Sequence, residues 1–125
     1  MNIEIRFDKK GKIIPSYNGN DITMEDSPYM IFLSTVGMCS AVYVRAFLNQ
    51  RNISLEGVSL TQKIEHNPAT NMVEDVGVII NLSQEFPSKY NKAIKSVIHQ
   101  CPVKKHLVTP PSISVNTSFD LSIEV

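Results

Sequence analysis

The longest stretch of this chain without a charge covers 18 residues between Asp26 and Arg45. Apolar side chains can leave water only if the backbone N–H and C=O groups beside them find hydrogen-bond partners, and a helix pairs them within one segment. Asp26 or Ser27 can cap such a helix, and Pro28 suits its first turn because no N–H is needed there. The pattern predicts one long helix from about Pro28 to the polar residues that begin at Gln50.

This helix is apolar on nearly every face, so it belongs either in a protein core or in a membrane. Eighteen residues are close to the lower limit for a span of the hydrocarbon layer. The stretch also contains Ser, Thr, Gly and Pro, and the remainder of the chain has the amphipathic pattern of a soluble protein. We therefore expect a buried helix enclosed by other elements, with no membrane partner, and keep a membrane span as the minor alternative.

Apolar and polar residues alternate in four other segments, which is the period of a strand with one buried face, and the segment KIIPSY can return as a further short strand after a Lys-Lys-Gly turn. Turn signals, such as NGND and NPATN, follow or separate these segments. The last segment has the cleanest alternation in the chain, and only Thr117 interrupts it. The predicted strands cover residues 3–7, 12–17, 58–65, 76–82 and 113–125.

A second amphipathic helix is predicted from the segment PSKYNKAIKSVIHQC. Its inward stripe consists of Tyr90, Ile94, Val97 and Cys101, at steps of four, three and four residues. Pro102 then suits the first turn of a short further helix, PVKKHL. Together these elements predict a single α+β domain over residues 1–125, with an antiparallel sheet and the helices gathered on one side of it.

Charge and cysteine usage exclude several function classes. Lys plus Arg number 12 and Asp plus Glu number 12, so no excess of positive charge would attract nucleic acid.

The N-terminus lacks the apolar run of a secretory signal, from which we expect a cytoplasmic protein. Cys39 and Cys101 lie 62 positions apart, which fits neither a CxxC redox pair nor a zinc-ligand pattern. A permanent disulfide is not expected in a reducing compartment.

The histidines add little to a metal or cofactor hypothesis. They do not have the spacing of metal ligands, and the chain contains no GxGxxG, P-loop or nucleophile-elbow motif. We therefore expect neither a metal nor a cofactor. His106 lies five residues after Cys101, so a Cys–His pair for acyl transfer is a minor alternative. The three histidines are His66, His99 and His106.

Cys101 has the local setting of an ionisable thiol. It lies at or next to the N-cap of the short helix that Pro102 begins, where unpaired N–H groups and the helix macrodipole favour negative charge. Lys104 and Lys105 would add to this field if they fold back. We therefore predict a pKa below the ordinary value for the Cys101 thiol.

Cys39 lies in the middle of the long helix, where neither end of that helix can stabilise a thiolate. Lowering the pKa of a thiol by about two units takes roughly 2.7 kcal/mol, whereas a helix dipole contributes roughly 0.3 to 1 kcal/mol. A charged partner such as Arg6 or Arg45 would have to approach closely, and Arg45 lies on a different face of the helix. The alternative for both cysteines is inert burial, since free cysteine often packs as a small hydrophobe.

Two segments resemble the cysteine motifs of the OsmC/Ohr family. The segment SPYMIFLSTVGMCSAVYVRAFLNQRNISLEGVSL is similar to the family's central helix, which begins at a proline and carries a cysteine about ten residues later. The segment VIHQCPVKKHL is similar to its second motif, a Cys-Pro followed by a small basic helix. The resemblance covers the chain from about residue 26 onwards. It implies an OsmC-like α+β fold and an interlocked homodimer.

Members of that family are thiol peroxidases for hydroperoxides, especially organic ones. By this resemblance Cys39 is the peroxidatic residue that becomes a sulfenic acid, and Cys101 is the resolving residue that condenses with it to a disulfide. An unidentified dithiol would then reduce the disulfide. Some apolar residues of the long helix could line a pocket for an alkyl peroxide, although such residues are more often plain core. These residues are Met30, Leu33, Met38 and Phe47.

The chain departs from the family in its activating residues. A glutamate normally follows the helix-leading proline by one or two positions and pairs with an arginine beside the reactive cysteine, but Tyr29 and Met30 occupy those positions here. Glu25 and Asp26 precede the proline, and Arg6 is the only arginine before the helix. Arg6 is therefore the candidate activating cation. The alternative is that Arg6 is an ordinary strand residue that faces solvent. Two further hypotheses are a non-catalytic OsmC-fold protein for binding or interaction and a homodimer subunit without a ligand.

Overall fold

A computed structural model describes the backbone of residues 1–123 and the side chains of residues 1–120. The strands are β1 (Asn2–Phe7), β2 (Ile13–Tyr17), β3 (Asn20–Asp21), β4 (Ser59–His66) and β5 (Val73–Asn81). The α-helices are α1 (Pro28–Gln50), α2 (Asn91–Val97), α3 (Pro102–Val108) and α4 (Ser118–Ile123). All strands pair antiparallel in the order β3-β2-β1-β4-β5, and α1 packs on β1, β2 and β4. The predicted α+β class with an antiparallel sheet is confirmed.

The sheet forms where the sequence alternates. Ile3 and Ile5 of the central strand β1 are fully buried, whereas the residues between them and on either side of them are exposed. Antiparallel pairing places Ile5 opposite Pro15 on β2 and opposite Leu60 on β4. One face of the sheet is therefore apolar, and the inner face of α1 covers it.

The hairpin between β2 and β3 turns at Asn18 and Gly19. Their φ angles of +50° and +82° lie in the left-handed region, which Asn and Gly tolerate best. Tyr17 pairs with Asn20 across this turn. The predicted NGND turn is thus confirmed as a tight hairpin connection.

Helix α1 begins and ends where the sequence predicts. Ser27 is its N-cap, and the Ser27 Oγ accepts a hydrogen bond from the N–H of Met30 at 3.2 Å. Pro28 occupies the first turn, and Gln50 is the last helical residue. The fully buried apolar residues of its inner face are Ala41, Val44 and Leu48.

Helix α1 also has the length and apolarity of a membrane-spanning helix, the only one among the described residues that does. In this fold 44% of its apolar window is buried inside the protein. The packing of the inner face on the sheet favours the interpretation as a core helix. The outer face leaves Tyr29, Phe32 and Val42 substantially exposed.

The second predicted helix is divided into three short helical segments. A 3₁₀ turn at Ser88–Tyr90 precedes α2, and another at Ile98–Gln100 follows it. Cys101 has φ −57° and ψ 117°, because Pro102 disfavours helical geometry at the residue before it. The prediction of one continuous helix up to Cys101 is therefore wrong, whereas the predicted start of a new helix at Pro102 is confirmed. The inward stripe is retained in part, since Ile94 and Cys101 are fully buried.

The predicted C-terminal strand over residues 113–125 is wrong where the structure describes it. Residues 110–117 have no regular structure, and α4 follows them. The Thr117 N–H donates to Asp120 Oδ2 at 2.9 Å, and the Asp120 N–H donates to Thr117 Oγ1 at 3.4 Å. This reciprocal pair is a capping box, which begins a helix at the residue that interrupts the alternation. The last two residues of the predicted strand lie outside the described residues.

Ile94 fixes α2 in the core, so its truncation should destabilise the fold. We expect Ile94→Ala to lower the free energy of unfolding by about 2 to 5 kcal/mol, because the deletion leaves a cavity at a fully buried site. Denaturant unfolding followed by circular dichroism measures this loss. Lys92→Ala on the exposed side of α2 is the control, with an expected change below about 0.5 kcal/mol. Equal losses in the two variants would contradict the packing.

Candidate thiol site

The fold brings Cys39 and Cys101 together although they are 62 positions apart in the sequence. Cys39 lies in the middle of α1 and is partly buried, whereas Cys101 follows the 3₁₀ turn after α2 and is fully buried. Both thiols are free, and the Cys101 side chain lies close enough to Cys39 to act on its ionisation. The two cysteines singled out by the sequence are therefore neighbours in the reduced state.

The first turn of α3 directs backbone N–H groups towards both sulfur atoms. Cys101 is the N-cap of α3, and its Sγ accepts a hydrogen bond from the N–H of Lys104 at 3.4 Å. The backbone amide of Val103 interacts with the Cys39 thiol. Since the N–H groups at a helix start carry partial positive charge, the Val103 contact favours a thiolate at Cys39. The predicted N-cap position of Cys101 is confirmed.

Burial nevertheless dominates the ionisation of Cys39. Loss of hydration, followed by the hydrogen bond with Cys101, raises the pKa of the Cys39 thiol to about 11, and the Val103 amide acts in the opposite direction. At pH 7 a thiol with this pKa is ionised in about one molecule in ten thousand. Cys39 therefore holds its proton and is a weak nucleophile in the single chain.

Neither candidate arginine lies beside Cys39. Arg6 projects from the exposed face of β1 and donates two hydrogen bonds to the Asp21 carboxylate, at 2.7 and 3.1 Å. This hydrogen bonding lowers the pKa of Asp21 and raises that of Arg6. Arg45 donates to the carbonyl oxygen of Gly11 at 2.7 Å. Arg6 is thus a paired, solvent-facing strand residue, as the alternative interpretation predicts, and is not beside Cys39 in the single chain.

The Asp26 carboxylate and the Glu25 backbone are both engaged in the turn before α1. The Asp26 Oδ2 accepts a hydrogen bond from the N–H of Thr23 at 2.7 Å, and the Thr23 Oγ1 accepts one from the N–H of Glu25 at 3.1 Å. Tyr29 stacks on Phe32, with the ring centroids 6.3 Å apart. These contacts shape the chain as it enters α1. Among residues 1–120, these contacts provide no carboxylate beside the thiols that could replace the family's glutamate.

A shallow apolar pocket of about 380 Å³ lies between α1 and α3, lined by neighbours of the two cysteines but by neither cysteine itself. Phe32 and Thr35 form its wall on α1, and Thr35 lies one helical turn before Cys39. Val103, whose amide reaches Cys39, and His106 belong to its wall on α3. An apolar pocket at this place can hold the alkyl part of a small organic molecule.

The pocket residues suggested by the sequence lie elsewhere. Met30, Met38 and Phe47 pack in the core cluster, as the alternative interpretation predicts. Leu33 is buried and lines a larger open groove of about 1060 Å³ between α1, β5, α2 and α3. The exposed apolar residues along this groove are Tyr29, Phe32, Met72, Val76, Ile79, Leu107 and Val108.

The histidines near the site contact groups other than the thiols. His106 Nδ1 bonds to the carbonyl oxygen of Pro102 at 2.6 Å, and Lys104 Nζ donates to His99 Nδ1 at 2.5 Å. The Cys–His pair considered for acyl transfer is therefore not formed. In the described part of the chain, no group of three or more His, Cys, Asp or Glu side chains could hold a metal ion.

The Val103 amide is the site group that sequence reasoning misses. A backbone N–H has no signature in residue type, so nothing in the motif around Cys39 indicates it. Pro102 predicts the start of a helix but does not indicate that a second sulfur faces it. The sequence indicates this amide only through the predicted start of α3, and it does not show which group the N–H contacts.

These features define a two-cysteine thiol site on an α+β fold, and comparison with known proteins assigns the family. The family model of OsmC-like protein matches residues 23–116, which is well over half of the chain. The chain therefore belongs to the OsmC-like family, whose members are commonly dimers acting on hydroperoxides. No curated protein sequence and no solved structure matches the chain.

Removing Cys101 should make Cys39 more reactive towards an alkylating agent. Cys101→Ala lets water reach Cys39 and removes the hydrogen-bond partner that raises its pKa, so the thiolate fraction increases. We expect iodoacetamide to modify Cys39 about three- to tenfold faster at about pH 8, since the gain in thiolate is partly offset by lower nucleophilicity. Peptide mass mapping measures the rate.

Arg6→Ala is the matched control for that experiment, because Arg6 is paired with Asp21 and not with a thiol. The Cys39 rate should not change in this variant. In the parent protein the rate should continue to increase with pH towards about 11. A parent profile that levels off near neutral pH, or a slower Cys39 in Arg6→Ala, would contradict the assignment.

Proposed function

We propose that this protein is a two-cysteine thiol peroxidase that reduces organic hydroperoxides, with Cys39 as the attacking residue and Cys101 as the resolving residue. The observation that carries the proposal is the proximity of two free thiols, Cys39 on α1 and Cys101 at the start of α3. Membership of the OsmC-like family supports it. The reaction starts from thiols, which the cytoplasm keeps reduced, so we place the protein there.

The chemistry needs the two sulfur atoms and an external reductant. The Cys39 thiol loses its proton and attacks one peroxide oxygen; the O–O bond breaks, a sulfenic acid forms, and the alkoxide leaves as the alcohol after protonation. The Cys101 sulfur then attacks the Cys39 sulfur, which forms the S–S bond and releases water. A dithiol reductant returns both residues to thiols by exchange. Contact between the sulfur atoms favours the second step.

The pocket beside the thiols supports an organic rather than an inorganic peroxide. Most of its lining residues are apolar, namely Phe32, Pro102, Val103 and Leu107. Burial of an alkyl group there would contribute about 25 cal/mol for each Å² removed from water. Hydrogen peroxide would gain nothing from this surface.

A second candidate function is a non-catalytic binding or interaction protein of the same fold. The observation that favours it is the raised pKa of Cys39. In the described chain, the groups that act on this pKa are Cys101 and the Val103 backbone, and neither is a cation. Tyr29 and Met30 also stand where the family has its activating glutamate. With so little thiolate, reaction with a peroxide would be slow.

We further propose that the protein is a homodimer that buries the outer face of α1 and the adjoining groove. Helix α1 is apolar on nearly every face, but only its inner face is covered in the single chain. Tyr29, Phe32 and Val42 remain exposed on it, and the groove adds further exposed apolar residues from β5 and α3. Contiguous apolar patches of this kind mark interaction sites.

The peroxidase proposal predicts the fate of each thiol after one equivalent of cumene hydroperoxide. The reduced parent protein should lose both thiols rapidly and form the Cys39–Cys101 disulfide. Cys101→Ser should stop at a Cys39 sulfenic acid that dimedone traps, because the resolving sulfur is absent. Cys39→Ser should keep its remaining thiol. Thiol titration and mass spectrometry measure these outcomes.

Persistence of both thiols for hours in the parent protein would reject the peroxidase and favour the non-catalytic alternative. A sulfenic acid trapped at Cys101 in the Cys39→Ser variant would instead show that the two roles are reversed. The same samples therefore separate the two candidate functions and the two assignments of the cysteines.

The dimer proposal predicts that a charge on the outer face of α1 separates the subunits. Phe32→Asp places a carboxylate on a partly exposed apolar residue that a partner would cover. We expect its dimer to dissociate at least about tenfold more readily, which sedimentation velocity measures. Met24→Asp, at an exposed position before α1, is the control and should remain dimeric. A monomeric parent protein would reject the proposal.

A further inference from the structure

Gln62 is a polar side chain placed deep in an apolar core. It lies on β4 between Leu60 and Ile64, points to the same face of the sheet as they do, and is only 1% exposed. A buried amide costs free energy unless its donor and acceptor groups are hydrogen-bonded. No buried side-chain nitrogen or oxygen among the described residues lacks a partner, so Gln62 has its groups satisfied.

Both partners of the Gln62 amide belong to the backbone of α1. Its Nε2 donates to the carbonyl oxygen of Leu33 at 2.5 Å, and its Oε1 accepts from the N–H of Gly37 at 2.8 Å. Leu33 and Gly37 are four residues apart, so this carbonyl and this N–H are the two groups that an α-helix normally bonds to each other. The side chain therefore bridges one step of the helix ladder.

Gly37 leaves the room that this bridge requires. A Cβ at residue 37 would overlap the Gln62 Oε1, and it would also lie 3.1 Å from the Cγ1 of Ile5. The glycine is therefore explained by close approach of the amide and not by backbone conformation. A side chain inserted at one step of the ladder changes the pitch and direction of a helix locally.

We propose that Gln62 is a positioning residue for the thiol pair, because it sets the geometry of the α1 turn from which Cys39 projects. Helix α3 packs on α1, and Thr35, which lines a pocket together with Val103 of α3, lies within the turn that the amide bridges. Cys39 lies one helical turn beyond Thr35 and must reach Cys101 at the start of the same α3. The spacing between these two contacts depends on the pitch of the bridged turn.

The amide is not needed to satisfy the helix itself. With an apolar side chain at position 62, the Leu33 carbonyl and the Gly37 N–H can bond directly to each other, as elsewhere in α1. The interaction therefore contributes a particular geometry more than it contributes helix stability. Removing the amide should therefore change the alkylation rate of Cys39 more than an equally destabilising substitution elsewhere in the core does.

The proposal rests on the proposed function only through the pairing of Cys39 with Cys101, and its first test needs no peroxide. Gln62→Met keeps the length of the side chain and removes the amide. Cys39 should then move from its contact with Cys101, so that iodoacetamide modifies it about three- to tenfold faster at about pH 8. In glutathione buffers, the equilibrium constant for the Cys39–Cys101 disulfide should fall by at least about fivefold.

Gly37→Ala disturbs the same bridge from the helix side and gives an independent variant. Because both substitutions act on one contact, Gln62→Met combined with Gly37→Ala should show little more effect than Gln62→Met alone. Leu60→Val is the control, since it perturbs the neighbouring core position of β4 without touching the ladder of α1. Its Cys39 alkylation rate should stay within about twofold of the parent rate.

An unchanged Cys39 rate and disulfide equilibrium in Gln62→Met would overturn the proposal. Equal changes in Leu60→Val at the same loss of thermal stability would overturn it as well, because the effect would then be general softening of the core. Failure of the parent protein to consume peroxide would count against the proposed function alone. The alkylation comparison between parent and variants stands in either case.

Discussion

Burial of one face of α1 against the sheet is the constraint on which the rest of the structure depends. The helix has 23 residues, and its apolar side chains need cover on more than one side. Ile3 and Ile5 of β1 and Leu60 of β4 supply it from the sheet. The remaining part of the inner surface is covered by α2, through Ile94. Cys101 follows α2 in the chain and lies beside Cys39 of α1.

The thiol site results from two opposing consequences of that packing. The same burial that brings the sulfur atoms together removes water from Cys39 and raises its pKa. The first turn of α3 offsets part of this by directing the amides of Val103 and Lys104 towards the two sulfur atoms. Burial has the larger effect on the pKa of Cys39. The single chain therefore holds its two cysteines close together for a disulfide but has little thiolate at the attacking residue. Its own arginines are engaged elsewhere.

Most of the elements could be predicted because their causes are local. The Ser27 cap with Pro28, the alternation around Ile5 and the Asn–Gly turn each act within a few residues. The alternation also places Arg6 on the exposed side of β1, so the pattern itself argued against Arg6 as a partner of Cys39. The break before Cys101 likewise follows from Pro102, whose effect on the preceding residue outweighs the continuing apolar stripe.

The C-terminal segment shows where local pattern fails. Alternation indicates which side chains would share one face of a strand. A strand also needs a neighbouring strand to pair its backbone groups, and the five-stranded sheet does not include this segment. The capping box of Thr117 and Asp120 needs only its own turn, so a short helix forms there instead. Ile113 and Val115 are left 87% and 91% exposed, which no core helix or strand would allow.

The sequence by itself determined the long apolar helix, the alternating strands and the N-cap position of Cys101, because each depends on side chains and backbone within one or two turns. Only the tertiary structure decided that Cys39 meets Cys101, that the Val103 amide faces Cys39, and that Gln62 enters the ladder of α1. These contacts join segments that are far apart along the chain, and two of them involve backbone groups that every residue carries. Because these backbone N–H and C=O groups are the same at almost every residue, only the tertiary packing determines which of them a given side chain contacts.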